Sequence, residues 1–190
     1  QQEIFRWMAT WSIIIKSPAD LAYNGEKFVL PKLHVKANIL KSEPDAESLF
    51  VEYAETLQER REARKHSLDE RVIMAKNIAQ TKENCLIWCD YNNESTALHK
   101  AIRGSVEVKG SDTPEHKEKA MMGFTSGDVK YLVTKPSICG FGMNWQNCHD
   151  MIFCGLSDSY EQFYQAIRRC YRFGQKHEVN VHVIISEKEM

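Results

Sequence analysis

A run near the carboxyl end of the chain collects amide and guanidinium groups at a helical spacing. It reads Gln-Ala-Ile-Arg-Arg-Cys-Tyr-Arg-Phe-Gly-Gln over residues 165–175. At about 100° per residue, Gln165, Arg169 and Arg172 fall within about 60° of one another on an α-helix. Arginine stays charged at any working pH and meets phosphate in a flat, bidentate fork. The spacing therefore predicts a helix face that presents donors to a phosphoryl group.

A solvated charged face is the alternative interpretation of this stripe. Such a face gains stability from oppositely charged pairs four residues apart. Here Glu161 is followed four residues later by Gln165, and Arg168 is followed by Arg172. The like-charged pair should cost a few tenths of a kcal/mol. An anion outside the helix would compensate this repulsion, which favours the phosphate-binding interpretation.

The same run resembles motif VI of the superfamily 2 helicases, Gln-Ala-x-x-Arg-x-x-Arg-x-Gly-Gln. Its ending is most similar to that of Swi/Snf-like DNA translocases and their phage and bacterial relatives. Residues 128–134, followed by Gly-Phe-Gly-Met-Asn-Trp over 140–145, resemble motif V, with departures from the family pattern at Phe141 and Trp145. Residues 85–90 and the following Asn93-Glu94 resemble motif IV. The resemblance covers roughly residues 70–187, with a weaker match before them.

The resemblance implies a role for three polar residues of motif VI. Arg172 would be the arginine finger that reaches the γ-phosphate of ATP, and Arg169 would be its neighbour on the phosphates. Gln165 would couple the site to the domain interface. An arginine supplied from a neighbouring domain contributes about 10³ to 10⁵ in the rate of phosphoryl transfer.

The motif V loop is expected to bind a nucleotide or nucleic acid. Gly140 and Gly142 permit backbone conformations that bring amides close to a ribose or a phosphate, and Asn144 can both donate and accept. An ordinary strand-to-helix turn is the alternative for the glycine pair. Thr134 and Lys135, at the end of the preceding strand, are candidates for sequence-independent contact with a nucleic-acid backbone.

The motif IV loop carries a further polar cluster, Asp90, Asn92 and Asn93. We expect Asp90 and Asn93 to contact nucleic acid. A helix cap is an equally good interpretation of the same residues.

Strands and helices alternate through the second part of the chain. The predicted strands cover residues 86–89, 105–108, 129–133, 151–154 and 179–185. The predicted helices cover residues 94–103, 113–124 and 159–174, the last ending at Gly174 as a C′ glycine. This alternation predicts an α/β fold, a parallel sheet with helices on both faces and ligands at the strand carboxyl ends. The resemblance implies that the fold is RecA-like, of the P-loop NTPase type.

Residues 1–70 are predicted to be a mainly helical connecting segment, and residues 71–190 the RecA-like domain. Apolar residues at helical spacing over residues 1–16 predict a helix whose tryptophans, Trp7 and Trp11, belong to a core. Residues 27–40 alternate and contain a proline, which is typical of short edge strands or an extended arm.

Two charged stretches complete this first segment. Residues 42–56 are acidic and predict a linker or a solvated helix start. Residues 45–80 have helical spacing, and the charged residues 59–65 are expected to form an exposed face. Asp69-Glu70 is interpreted as helix surface rather than as a metal-binding acidic pair, because no buried strand precedes it.

Composition limits the possible functions. The net charge of −1 provides no global attraction to nucleic acid, so any such contact must be local. No glycine begins a phosphate loop, and the chain starts with Gln1 rather than Met. We therefore expect an upstream RecA-like domain to bind most of the ATP and its Mg. Six cysteines without a Cys-x-x-Cys pair predict reduced, mostly buried thiols and no metal site.

The sequence favours the C-terminal motor domain of an ATP-dependent DNA helicase or translocase, inactive as an isolated piece. Nucleic acid, with DNA preferred over RNA, is the expected partner. No apolar run approaches the roughly 20 residues of a membrane helix, so we expect no membrane partner and a cytoplasmic location. A catalytically silent interaction module with a helicase fold is one alternative. An unrelated α/β enzyme that uses the glycine loop for a cofactor is another.

Overall fold

The described residues form a parallel sheet that positions the predicted site. Its order is β1–β6–β5–β2–β4–β3. The strands are β1 (Leu33–Leu40), β2 (Cys85–Trp88), β3 (Ser105–Glu107), β4 (Tyr131–Thr134), β5 (Asp150–Phe153) and β6 (Val179–Ser186). The computed structural model describes residues 2–13, 15, 17–41, 54, 56–140 and 142–189.

Helices cover both faces of this sheet, as predicted. They are α2 (Leu57–His66), α3 (Leu68–Ala79), α4 (Asn92–Ala101), α5 (Pro114–Ser126), α6 (Pro136–Cys139) and α7 (Tyr160–Ile167), after α1 (Gln2–Met8) near the amino end. Alternate residues of β2 face opposite layers. Leu86 and Trp88 pack in the core with α5, α6 and α7, whereas Cys85 and Ile87 pack in the core with α3 and α4. The predicted α/β fold is confirmed.

Side-chain caps fix the start of several helices. The Thr113 hydroxyl accepts a hydrogen bond from the His116 amide at 3.3 Å, and Pro114 occupies the first turn of α5. Ser159 caps α7 in the same way through the Gln162 amide. Both helices begin where the sequence predicted.

The end of α7 differs from the prediction. The helix stops at Ile167 instead of continuing to Gly174. The amides of Arg169 and Cys170 bond to carbonyls three residues back, which tightens the chain out of α-helical geometry. The Arg169 carbonyl then accepts from the Trp145 amide at 2.8 Å, a partner from another loop. Gly174 has φ of 93° and lies in the following turn.

Gln1–Leu30 form a separate amino-terminal unit. The prediction that its tryptophans belong to a core is wrong, because Trp7 is 63% and Trp11 is 62% exposed. They contact each other edge to face, with ring centroids 5.3 Å apart. A unit of this length buries too little apolar surface to enclose such large rings.

The second unit, Pro31–Met190, contains the whole sheet. The extended stretch predicted over residues 27–40 supplies β1, which is an edge strand and pairs in parallel with β6 from Leu33 opposite Val179 to Leu40 opposite Ser186. The predicted boundary between residues 70 and 71 stays a prediction. Most of the acidic stretch 42–56 lies outside the described residues.

Burial agrees with the predictions for the thiols and for the acidic pair. All six cysteines are free and buried. Asp69 and Glu70 are exposed in the first turn of α3. Among the helices that the structure describes, none combines the length and apolar character needed to cross a membrane.

Candidate functional site

Arg169 lies directly after α7 and is held by backbone and side-chain oxygens. It is only 7% exposed. Its Nε donates to the Gln165 carbonyl at 3.0 Å, and Nη2 donates to Gln165 Oε1 at 3.2 Å. Nη1 donates to the Met143 carbonyl of the motif V loop at 3.2 Å. Two of the predicted motif VI residues are therefore in contact, although only Gln165 is on the helix.

Arg172 joins the same group from the turn that follows. Its side chain is half-buried. Its Nη1 lies 3.5 Å from the Met143 carbonyl oxygen and also contacts Asn144 Oδ1. The structure thus brings together Asn144, Gln165, Arg169 and Arg172, which we call the arginine cluster. Because the cluster joins two loops, its geometry depends on both motifs V and VI.

The arginine cluster carries uncompensated positive charge. Across the described residues, no carboxylate forms an ion pair with Arg169 or Arg172. Burial, and then the neighbouring charge of Arg172, lower the pKa of Arg169. A guanidinium remains protonated under such a shift, so the chemistry of the pair suits an anion with several oxygens.

The two motif V positions are occupied by glycine for different structural reasons. A Cβ at Gly140 would lie 2.1 Å from the Pro136 carbonyl oxygen, so the end of α6 leaves no space for a side chain. This contact agrees with the interpretation as an ordinary turn. Gly142 is exposed, has φ of 83°, and would meet nothing within 4 Å. Phe141 lies outside the described residues.

Thr134 and Lys135, at the end of β4, differ in access to solvent. Thr134 is fully buried, and its hydroxyl lies 3.1 Å from the Val108 carbonyl, to which it donates. Thr134 therefore has no exposed atom with which to make the predicted contact to nucleic acid. Lys135 is half-buried, and its carbonyl accepts from the Ile138 and Cys139 amides as α6 begins.

The motif IV loop is capped by a residue to which the sequence assigned no role. Glu94 is 1% exposed, and its Oε2 accepts from the amides of Asp90 at 2.8 Å and Tyr91 at 3.0 Å. Asp90 is half-buried with Oδ2 3.6 Å from Arg64 Nη1, and Asn93 is exposed in the first turn of α4. Of the two predicted contacts, Asn93 is the one that faces solvent freely.

A family comparison classifies the chain. The family model described as helicase conserved C-terminal domain matches residues 64–174. This chain belongs to that family. No curated protein matches it.

Three solved structures are similar to this chain in fold. T4 UvsW aligns with a TM-score of 0.61 and 16% identity, over 82% of this chain and 33% of its own. The C-terminal part of the Fun30 ATPase domain aligns with a TM-score of 0.54 and 21% identity, over 64% of this chain and 41% of its own. The DUF1998 helicase MrfA bound to DNA aligns with a TM-score of 0.52 and 12% identity, over 64% of this chain and 17% of its own. The chain thus spans less than half the length of each of these structures.

Gln175, the last residue of motif VI, connects backbone groups of two loops next to the arginine cluster in this helicase C-terminal domain. It is 6% exposed. Its amide nitrogen lies 3.1–3.2 Å from the carbonyls of Gln146, Cys148 and Cys170. Its Oε1 accepts from the amides of Lys176 and His177, both at 2.9 Å. Sequence reasoning included Gln175 in the motif but gave it no structural role.

Two other residues of the helicase domain also depart from their sequence interpretation. Trp145, where the motif V pattern departs, is fully buried and packs edge to face on Phe124 at 5.4 Å. The departure is thus a core substitution. Arg64 lies in the charged stretch expected to be exposed, yet it is only 6% exposed. Its three carboxylate partners lie in distant segments, so helical spacing alone gave no signal of its burial.

Proposed function

We propose that this chain is the C-terminal motor domain of an ATP-dependent helicase or translocase that acts on nucleic acid. In this proposal it supplies the arginine half of an ATPase site, and an upstream RecA-like domain supplies the other half. The observation that carries the proposal is the arginine cluster, where two guanidiniums share one oxygen-rich scaffold and have no carboxylate partner among the described residues.

Arg172 is the proposed arginine finger. It is more exposed than Arg169 and is attached to the cluster through the motif V loop. Arg169 is held at all three guanidinium nitrogens and fixes that loop against α7. An arginine finger stabilises the charge on the transferring phosphoryl oxygens, which corresponds to roughly 4 to 7 kcal/mol of the barrier.

ATP with Mg is the proposed cofactor, and it supplies the phosphoryl group that is transferred to water. Arg172 and Arg169 would contact its phosphates, while Gly142 and Asn144 lie on the loop that would approach the nucleotide. The sequence of this chain contains no phosphate loop. The upstream domain would therefore hold the metal and most of the nucleotide, and this chain alone would hydrolyse no ATP.

Nucleic acid, with DNA preferred, is the proposed track. Lys135 and Asn93 follow neighbouring strands β4 and β2, whose carboxyl ends lie at one edge of the sheet. Backbone contacts of this kind are independent of sequence and weaken with salt. Asp90 would act in this loop through its ion pair with Arg64 rather than by binding phosphate, because like charges repel.

A substitution series in the protein that carries both domains tests the proposal. We expect Arg172→Ala to lower DNA-stimulated ATP turnover by about 10³ or more, with DNA affinity largely unchanged. Arg172→Lys should recover little, because a point charge does not replace the planar fork. Arg168→Ala is the matched control, since Arg168 lies over the Tyr171 ring and outside the arginine cluster.

Turnover that survives Arg172→Ala would exclude the arginine-finger role. If the unsubstituted protein binds DNA but hydrolyses no ATP, the silent interaction module becomes the better description.

A further inference from the structure

A second group of arginines, separate from the arginine cluster, joins the carboxyl ends of three strands. Arg64 and Arg71 extend from α2 and α3, and both contact Glu189, which follows β6. Their exposed fractions are 6% and 0%. We call Arg64, Arg71 and Glu189 the arginine clamp.

Arg71 attaches the clamp to the sheet itself. Its Nη1 donates to the carbonyls of Cys154 at 2.6 Å and Ile184 at 3.0 Å, which belong to the ends of β5 and β6. Its Nε donates to Ser67 Oγ at 2.8 Å, at the junction of α2 and α3. The guanidinium is thus fixed on all sides, and it holds α3 in register with the strand ends.

Arg64 extends the clamp to two functional loops. Each of its nitrogens faces a different carboxylate. Nε lies 3.0 Å from Glu189 Oε2, Nη1 lies 3.6 Å from Asp90 Oδ2, and Nη2 lies 3.7 Å from Asp158 Oδ1. Asp90 begins the motif IV loop, and Asp158 directly precedes Ser159, the cap of α7.

The net contribution of these buried ion pairs to stability does not explain why the chain has them. Burying a charged group costs several kcal/mol, and replacing a buried ion pair by apolar side chains is often neutral or stabilising. Three carboxylates on three separate elements do, however, specify one relative position for those elements. A lysine would not replace it, because its three donors sit on one flexible nitrogen, whereas the guanidinium holds three nitrogens in one rigid plane.

We infer that Arg64 is a positioning residue that couples the motif IV loop at Asp90 to the start of α7 at Asp158. This inference rests on the proposed function, in which the first loop meets nucleic acid and α7 carries Gln165 to the ATPase site. A displacement of the Asp90 loop is then transmitted to α7 through one rigid guanidinium. The arginine cluster keeps its own hydrogen bonds to Met143 and Gln165, which do not involve Arg64.

Arg64→Lys tests the coupling, with Arg61→Lys as the control because Arg61 is exposed on the same helix. Amide hydrogen exchange on the 190-residue chain should become faster in residues 89–94 and 155–160, and stay unchanged in residues 105–108. In the two-domain protein, the ratio of DNA-stimulated to unstimulated ATP turnover should fall at least about fivefold. Unstimulated turnover should stay within about twofold, since the arginine cluster is intact.

Asp158→Asn provides a second measurement of the same link. It should also lower the stimulation ratio, and the double variant should lose less than the two single effects combined, because both substitutions break the Arg64–Asp158 ion pair. A purely structural role would reduce stimulated and unstimulated turnover equally. An unchanged ratio, or unchanged exchange in either loop, overturns the inference. If the unsubstituted protein lacks ATP turnover, the proposed function fails, and the exchange measurement alone then decides whether Arg64 holds both loops.

Discussion

Gln175 contacts five backbone groups with one side chain. Its amide faces three carbonyls and its oxygen accepts from two amides, in a position where water has little access. Such groups lose their partners together if the side chain is removed, and each unsatisfied buried group costs about 1–3 kcal/mol. The last residue of motif VI therefore shapes the turn that carries Arg169 and Arg172.

We expect Gln175→Ala to lower the free energy of unfolding by at least about 2 kcal/mol. Denaturant unfolding monitored by tryptophan fluorescence measures it. Gln58→Ala is the control, because Gln58 is exposed on α2 and should change stability by less than about 0.5 kcal/mol. Equal effects of the two substitutions would show that the hydrogen bonds of Gln175 contribute nothing.

The members of the arginine cluster were predictable from sequence, but their contacts were not. Helical spacing and the motif resemblance selected Gln165, Arg169 and Arg172, and the structure does bring them together. They do not meet on one helix face, contrary to the prediction. Both arginines lie beyond the helix end and converge on the Met143 carbonyl. Periodicity cannot anticipate an acceptor that another loop supplies.

Among the secondary-structure elements, β2 to β6 were predicted within about two residues, whereas β1 begins six residues after the stretch predicted to be extended. Short apolar runs between turn residues mark buried parallel strands, and β2 and β5 are examples that are buried along their whole length. The end of α7 and the burial of Arg64 escaped prediction for one common reason. Each is decided by partners from distant segments, the Trp145 amide in the first case and three carboxylates in the second.

The short helix α6 depends on the absence of a side chain at its end. We expect Gly140→Ala to destabilise the fold by about 1–3 kcal/mol, because the new Cβ would overlap the Pro136 carbonyl. Thermal unfolding followed by circular dichroism measures the change. Gly110→Ala is the matched substitution, since a Cβ there meets nothing within 4 Å. If both variants melt at the same temperature, the loop has room that the structure does not show.

At the scale of the whole molecule, buried thiols make stability depend on pH. Burial raises the pKa of Cys154 from 9.0 to about 12, and it also raises the pKa of Cys85, Cys89, Cys139 and Cys170. A raised folded-state pKa means that the folded chain retains protons that the unfolded chain releases. The stabilisation is complete below about pH 9 and is lost as the pH rises above it.

We therefore expect the free energy of unfolding to fall between pH 8 and pH 10, with Cys154 alone contributing roughly 1 kcal/mol of the fall at pH 10. Urea unfolding in the presence of a reductant at several pH values measures the slope. Cys154→Ala should make the slope shallower, because one titrating group is removed, whatever its effect at pH 8. An identical slope would mean that Cys154 does not titrate on unfolding.

The pairing of β1 with β6 has a kinetic consequence. Leu33 lies opposite Val179, so the first strand must wait for a neighbour that the ribosome adds about 150 residues later. At 5–20 residues per second, this delay lasts roughly 7 to 30 seconds. Once β5 has been added, it too has one open side until β6 follows, and its unsatisfied backbone groups invite association with other nascent chains. Chaperone demand during synthesis should thus fall sharply once the last strand emerges.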